Sequence, residues 1–110
     1  MPQNVLFLAV DDLRPEIRCY GKQKLVTPNL DRLAAGSVRF EHAYCQFPQC
    51  MPSRTSLLSG KRPTEFCTWH HELCPNGEPS LARHFRDNGY ETISIGKISH
   101  KDRDDPEAWT

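Results

Sequence analysis

Residues 50–63 of the chain read CMPSRTSLLSGKRP. Proline suits the first turn of a helix, where its missing N–H costs little, so Pro52 predicts a short helix over 53–59, directly after Cys50. The N-terminus of such a helix presents backbone N–H donors to an anion. Arg54 lies one helical turn after Cys50, so both side chains can face one pocket. Taken alone, the cysteine would suggest a buried thiol or half a disulfide, and the arginine a surface charge.

A second candidate site follows the first apolar run. Residues 4–10 read NVLFLAV, a continuous run that predicts a strand buried on both faces of a largely parallel sheet. Asp11 and Asp12 come directly after it, at the edge where open α/β sheets place their ligand sites. Adjacent carboxylates repel, and a hard cation such as Ca²⁺ relieves that repulsion. The competing interpretation is a solvated turn or a helix N-cap.

A third candidate site lies in residues 89–100, which read GYETISIGKISH. Lys97 follows a short β-rich run, and its ammonium can pair with an anionic oxygen as a point charge. His100 can donate or accept a proton. Gly96 lets the backbone come close to a bound anion. By itself this Lys-x-x-His pair would be taken as a surface pair, so its value depends on the other two motifs.

Together the three motifs resemble the sulfatase family in their order and separation. The resemblance rests on Cys-x-Pro-Ser-Arg with Leu-Ser-Gly-Lys-Arg-Pro, on Asp-Asp-Leu-Arg-Pro after the first strand, and on Lys-x-x-His. The second and third forms are most similar to the iduronate-2-sulfatase branch. The resemblance implies an α/β fold: residues 1–110 would be the N-terminal portion of a sulfatase catalytic domain, an incomplete part of an alkaline-phosphatase-like doubly wound sheet.

The resemblance also implies a covalent mechanism. In this family a formylglycine-generating enzyme oxidises the cysteine of the motif to an aldehyde, whose hydrate attacks sulfate esters. One hydroxyl of the hydrate attacks sulfur, and the other can then expel sulfate, a release that a serine ester lacks. The catalytic residues implied here are Cys50, Arg54 and His100.

Metal and substrate ligands are implied in the same way. The family uses Ca²⁺, which would be held by Asp11, Asp12 and the modified residue 50. Lys97 and His100 would bind the sulfate group of a substrate, expected to be a sulfated carbohydrate such as a glycosaminoglycan. A divalent metal can lower the pKa of an attacking hydroxyl and hold the sulfate oxygens.

Composition limits the other possibilities. The chain has 110 residues and a formal net charge of +0, so bulk charge gives no reason to expect nucleic acid as a partner. Its longest apolar run is far too short to span a membrane. We see no signal peptide before the first predicted strand, although the resemblance implies a lysosomal, secreted or periplasmic protein. We therefore expect a mature or truncated start, or an incomplete gene.

Local signals predict two further helices. Thr27 can cap a helix that has Pro28 at its first position and ends near Ala35, before Gly36. Ser80 can cap a second, amphipathic helix that is closed by Asn88 and Gly89. Residues 38–44 and 90–95 predict extended segments or strands, and this alternation indicates a doubly wound α/β sheet. The charged residues 101–107 predict a loop.

Four soft ligands share one short segment: Cys67, His70, His71 and Cys74. Zinc is conceivable, although no spacing matches a Cys-x-x-Cys pair. A disulfide between the two cysteines, if the protein is exported, and two thiols are equally compatible with the sequence. The histidines could border the substrate pocket, but exposed loop positions are favoured. Oxidation between Cys45 and Cys50 would block conversion of Cys50.

Three interpretations stay open from the sequence. The first is the N-terminal segment of a Ca²⁺-dependent formylglycine sulfatase acting on sulfated sugars, which we expect to be inactive alone because later ligands are missing. The second is an aryl sulfatase or a phosphonate or phosphate esterase of the same superfamily. The third is a truncated product without enzymatic activity, in which Cys50 stays a thiol.

Overall fold

The computed structural model describes residues 3–22, 24–63, 78–100 and 104–110. These residues fall into two compact units, Met1–Tyr44 and Cys45–Thr110. Each unit has its own helices and hydrogen bonds, and each is described by itself below.

The first unit contains helix α1, Pro28–Ala35, as the sequence predicted. Proline occupies its first turn, Thr27 is the N-cap residue, and Gly36 follows its last residue. The Thr27 side chain makes no capping bond to the helix backbone. It accepts instead from the Arg18 backbone N–H and donates to Asp31, both at 3.4 Å. The Arg18 bond connects α1 to a short 3₁₀ helix, Arg18–Tyr20, which ends at Gly21 with φ 79°.

The described residues include no β-strand, so the structure differs from the prediction of strands over 4–10, 38–44 and 90–95. Apolar side chains in all three segments are largely exposed: Leu6 is 83%, Val38 82% and Ile95 86% exposed. A strand requires a hydrogen-bonded neighbour, and an apolar face requires a layer that covers it. In the described part of the chain, segments 4–10 and 38–44 have neither, and segment 90–95 is hydrogen-bonded to the last residues at Thr92 without forming a ladder. The doubly wound sheet stays a prediction.

Helix α2, Cys50–Ser59, opens the second unit. It begins at Cys50, three residues before the predicted start, because the Ser53 N–H already bonds to the carbonyl of Gln49 at 3.1 Å. Pro52 therefore lies inside the first turn, where its missing N–H leaves no bond unmade. Gly60 ends the helix with φ 72° and donates to the Ser56 carbonyl.

Helix α3, Leu81–Asp87, follows the predicted pattern. The hydroxyl of Ser80 accepts from the backbone N–H of Arg83 at 3.1 Å, which is a standard N-cap bond. Asn88 and Gly89 end the helix as predicted. Beyond this end the Phe85 and Tyr90 rings pack edge to face with centroids 5.0 Å apart.

The end of the chain corrects the prediction of a charged loop over 101–107. Residues 101–103 lie outside the described residues, but Pro106–Ala108 form a 3₁₀ helix that packs against α3. Ala108 is fully buried, and its carbonyl accepts from the Thr92 hydroxyl at 2.5 Å. Three hydrogen bonds also join Thr92 to Thr110. These contacts hold the last residues against the segment that precedes Lys97.

An ion pair also fastens these last residues to α3. Arg83 donates to Asp105 through Nε and Nη2 at 3.2 and 2.5 Å, and its Nη2 lies 3.1 Å from Glu107. Asp105 is 7% exposed. Burial raises the pKa of its carboxyl, but hydrogen bonds from Arg83 and Ser80 and the Arg83 charge outweigh burial and hold that pKa below the ordinary value of 3.8.

The described helices are at most ten residues long, and none of them has the length and apolarity needed to cross a membrane.

The Asp105 pair predicts an acid-sensitive attachment of the last residues to α3. Because its pKa is lower in the folded state, ionised Asp105 favours folding. This contribution is complete above pH 3.8 and is lost as the pH falls through the folded-state pKa. We expect Asp105→Asn to lower the hydrogen-exchange protection of α3 amides at pH 7. The protection that remains should fall less than in wild type when the pH is lowered. Asp87→Asn, at an exposed pair with Arg86, is the control and should change little. Equal protection in D105N and wild type at pH 7 would contradict the prediction.

Candidate functional site

The structure brings Cys50 and His100 together although fifty residues separate them. Cys50 is the first residue of α2, and its Sγ lies 3.4 Å from Nδ1 of His100. Both residues are partly buried. A thiol and an imidazole nitrogen at this separation are within hydrogen-bond reach for sulfur, so His100 can exchange a proton with a group carried by residue 50. The structure therefore brings these two candidate residues together, and their catalytic roles stay a prediction.

Arg54 lies one turn further along the same helix and is 9% exposed. Its Nη1 donates to the carbonyls of Lys97 and Ile98, each at 2.7 Å. The sequence predicted that Arg54 and Cys50 share a face of the helix and a pocket. The structure places Arg54 against the backbone of the segment that carries Lys97 and His100, a contact that the sequence did not predict.

Lys97 follows a glycine in the left-handed region. Gly96 has φ 77°, a conformation that costs little for glycine and is strained for other residues. The sequence predicted a different role for Gly96, the close approach of the backbone to an anion. Lys97 is exposed, and its role in binding sulfate stays a prediction.

Asp11 and Asp12 belong to the first unit. Both are exposed, and Asp12 has φ 53° in a turn directly after residues 4–10. Asp tolerates the left-handed region better than most residues, so the backbone conformation of this turn suits its sequence. In the described ranges no group of three or more His, Cys, Asp or Glu side chains could hold a metal ion. The metal role of the two aspartates stays a prediction.

The other cysteines add little to the site. Cys19 and Cys45 are thiols, and the exposed Cys45 donates from Sγ to the carbonyl of Phe47 at 3.3 Å. The predictions for Cys67, His70, His71 and Cys74 fall on residues outside those described, so the disulfide and zinc alternatives stay as they were.

Side chains at the end of α2 hold the residues that follow it. The Ser56 hydroxyl donates to the Lys61 carbonyl at 2.5 Å, and the Ser59 hydroxyl donates to Thr55 at 2.6 Å. Lys61 also pairs with Glu78. Neither Ser56 nor Glu78 was predicted from the sequence to belong to the site. The Ser59-Gly60-Lys61 pattern at the end of α2 was the sequence signal that could have pointed to Ser56. No such signal pointed to Glu78.

The sequence of the whole chain was compared with known proteins. The family model described as "Sulfatase" matches residues 3–106. The chain belongs to the sulfatase family. Iduronate 2-sulfatase of Homo sapiens is 40% identical over 102 residues, which cover 88% of this chain and 18% of that protein. A sulfatase of Formosa agariphila is 37% identical over 110 residues, with 88% and 21% covered. Arylsulfatase A of Homo sapiens is 36% identical over 104 residues, with 87% and 20% covered.

These comparisons confirm the resemblance stated from the three motifs. The chain spans about a fifth of the length of the relatives it matches. Membership implies the alkaline-phosphatase-like fold of the sulfatase family, and the family is known to use formylglycine. The matched residues include all three motifs.

The glycine before Lys97 provides a test of the loop geometry. An alanine Cβ at position 96 would have nothing within 4 Å, so Gly96→Ala should act only through its positive φ and lower the unfolding free energy by roughly 1 kcal/mol. Gly36→Ala is a matched control, because Gly36 is equally open in space but has φ −107°. Urea denaturation of the full-length protein should show a loss for G96A and little change or a small gain for G36A. Equal effects would refute a left-handed Gly96.

Proposed function

We propose that the full-length protein hydrolyses sulfate monoesters through a formylglycine made from Cys50. The observation that supports this most directly is the 3.4 Å contact between Cys50 Sγ and His100 Nδ1, in a chain of the sulfatase family. Residues 1–110 would form the N-terminal portion of the catalytic domain, within an alkaline-phosphatase-like doubly wound sheet. Since the chain covers about a fifth of its relatives, we expect these residues to be inactive alone.

The substrate is an anion, and the chain offers groups that suit one. In its hydrated form, formylglycine would supply one hydroxyl that attacks sulfur and displaces the alcohol of the substrate. Deprotonation of its second hydroxyl would then expel sulfate and restore the aldehyde. His100 would hold or move the proton of a residue-50 hydroxyl, because its Nδ1 already faces that position. The first turn of α2 adds backbone N–H donors next to residue 50. Lys97 would bind a sulfate oxygen as a point charge.

Calcium is the proposed metal, and Asp11, Asp12 and residue 50 would hold it. Carboxylate oxygens are the donors that this hard cation prefers, so the two aspartates fit it chemically. Bound Ca²⁺ would lower the pKa of a coordinated hydroxyl and neutralise sulfate oxygens. These residues supply fewer oxygens than the roughly six to eight that Ca²⁺ takes. We therefore expect further ligands from parts of the full-length protein outside these 110 residues.

We propose a sulfated sugar, as in glycosaminoglycans, as the substrate. Support comes from the 40% identity to iduronate 2-sulfatase and from the Lys97-x-x-His100 spacing. The formylglycine-generating enzyme would be a transient partner that acts on Cys50. A second candidate is an aryl sulfatase, supported by the 36% identity to arylsulfatase A. Turnover of sulfated disaccharides and of an aryl sulfate by the same preparation separates the two.

Conversion of Cys50 can be tested against a nearby thiol. In full-length protein made with the formylglycine-generating enzyme, mass spectrometry of the tryptic peptide 40–54 should show an aldehyde at residue 50 and a thiol at Cys45. We expect Cys50→Ala to reduce sulfate release by roughly 10³-fold or more, because it removes the nucleophile. Cys45→Ala is the control and should keep activity, since Cys45 is exposed and bonds only locally in the described contacts. Full turnover by C50A would exclude the proposed mechanism.

The metal assignment is tested by Asp12→Asn. Asparagine tolerates φ 53° as aspartate does, so the variant removes the charge while keeping the turn. Excess Ca²⁺ should raise the melting temperature of the wild-type full-length protein, with about 2.7 kcal/mol of stabilisation at a hundredfold excess over Kd. We expect D12N to lose most of this shift and Asp87→Asn to keep it. An unchanged calcium shift in D12N would rule out Asp12 as a ligand.

A further inference from the structure

We propose that Arg54 is a positioning residue that sets His100 against residue 50 by holding residues 97–100, here named the 97–100 loop. This inference rests on the proposed function, in which His100 handles a proton at residue 50. It differs from the role expected from sequence, in which Arg54 faces the pocket beside Cys50. The assignment follows from where its guanidinium is bonded.

One guanidinium nitrogen holds two consecutive carbonyls of the loop. Nη1 of Arg54 donates to the oxygens of Lys97 and Ile98, each at 2.7 Å. Hydrogen bonds from a charged donor are about twice as strong as neutral ones, and they strengthen further away from water. Arg54 is 9% exposed, so these bonds are well shielded. Ile98 lies two residues before His100, so little chain separates the held carbonyls from the imidazole.

Apolar packing does little to hold the segment before the loop. Ile93 and Ile95 are 69% and 86% exposed, so their burial contributes little. Hydrogen bonds fix the backbone at Thr92, which bonds to Thr110 and to the Ala108 carbonyl. The contact from Arg54 is thus a fixed point of the backbone between Thr92 and His100, two residues before the imidazole.

A closed circuit links the nucleophile position to the imidazole. Cys50 and Arg54 lie four residues apart on α2, so one rigid helical turn joins them. Arg54 is hydrogen-bonded to two carbonyls of the loop. His100, at the end of the loop, in turn contacts Cys50, with Nδ1 and Sγ 3.4 Å apart. A shift of α2 would carry both residue 50 and the loop with it. The separation of the two reacting groups is thus preserved when the helix moves.

The main test is a double-mutant cycle on activity. We expect Arg54→Met to lower kcat per converted residue 50 by about 10- to 100-fold, approaching the loss in His100→Asn. In the H100N background the same change should cost less than about threefold, because Arg54 then has nothing left to position. Arg54→Lys can still donate to carbonyls and should recover part of the loss. Arg86→Met is the matched control, since Arg86 pairs with exposed Asp87.

Two activity outcomes would overturn the assignment. If R54M costs the same in both backgrounds and acts mainly on KM, Arg54 contacts the substrate directly. If R54K and R54M lose the same kcat, donation to the carbonyls is not what matters. Residue 50 must be quantified by mass spectrometry in every variant, because Arg54 also belongs to the motif that the modifying enzyme recognises. Dividing kcat by the converted fraction removes that effect.

A second measurement does not depend on sulfatase activity. In full-length protein made without the modifying enzyme, the alkylation rate of Cys50 relative to the exposed Cys45 is measured at one fixed pH. His100→Asn gives the ratio for a thiol with no imidazole beside it. We expect the Cys50/Cys45 alkylation ratio of R54M to equal that of H100N. The ratio of R54K should lie between those of H100N and wild type, and the ratio of R86M should match wild type.

The alkylation ratios separate failure of this inference from failure of the proposed function. A wild-type ratio in R54M, or an H100N ratio equal to wild type, would overturn the positioning role. The expected ratios in a protein that releases no sulfate would retain the positioning role and reject the proposed function.

Discussion

The two hydrogen bonds from Arg54 to the Lys97 and Ile98 carbonyls join the beginning of α2 to the 97–100 loop. Together with the Cys50–His100 contact, they connect the helix that carries Cys50 to the loop that carries His100. The bonds come from a buried cation to backbone groups, so they are strong and depend little on the identity of the loop side chains.

A second set of contacts holds the chain before this loop. Thr92 bonds to Ala108 and Thr110, while Arg83 pairs with Asp105, so the last residues pack on α3. Polar contacts therefore fix the backbone at Thr92 as well as at Lys97 and Ile98. A catalytic site works when its groups are held close to the productive geometry by their surroundings, and for the proposed site hydrogen bonds to the backbone would supply that support.

The sequence predicted well those features whose causes are local. Pro28 and Gly36 bound α1, and Ser80 caps α3, because capping and helix ending involve only neighbouring residues. The start of α2 was missed by three residues, since its first bond uses Gln49, which has no distinctive capping side chain. The 3₁₀ helix Pro106–Ala108 was missed because it forms by packing on α3 and by the Arg83–Asp105 pair. A strand requires a hydrogen-bonded neighbouring strand, and the residue pattern of one segment does not show whether such a neighbour is present.

The candidate site divides in the same way. By itself the sequence determined which residue types are present and in what order. Three motifs sufficed to indicate the sulfatase family and to predict Cys50, Arg54, Lys97 and His100 as residues of the site. Only the tertiary structure decided that Cys50 meets Nδ1 of His100 and that Arg54 bonds to the loop backbone. The physical reason is that a motif records side-chain chemistry and spacing along the chain. A contact between residues more than forty positions apart depends on the path of the chain between them. A hydrogen bond to a backbone carbonyl cannot be read from the sequence, because every residue has such a carbonyl.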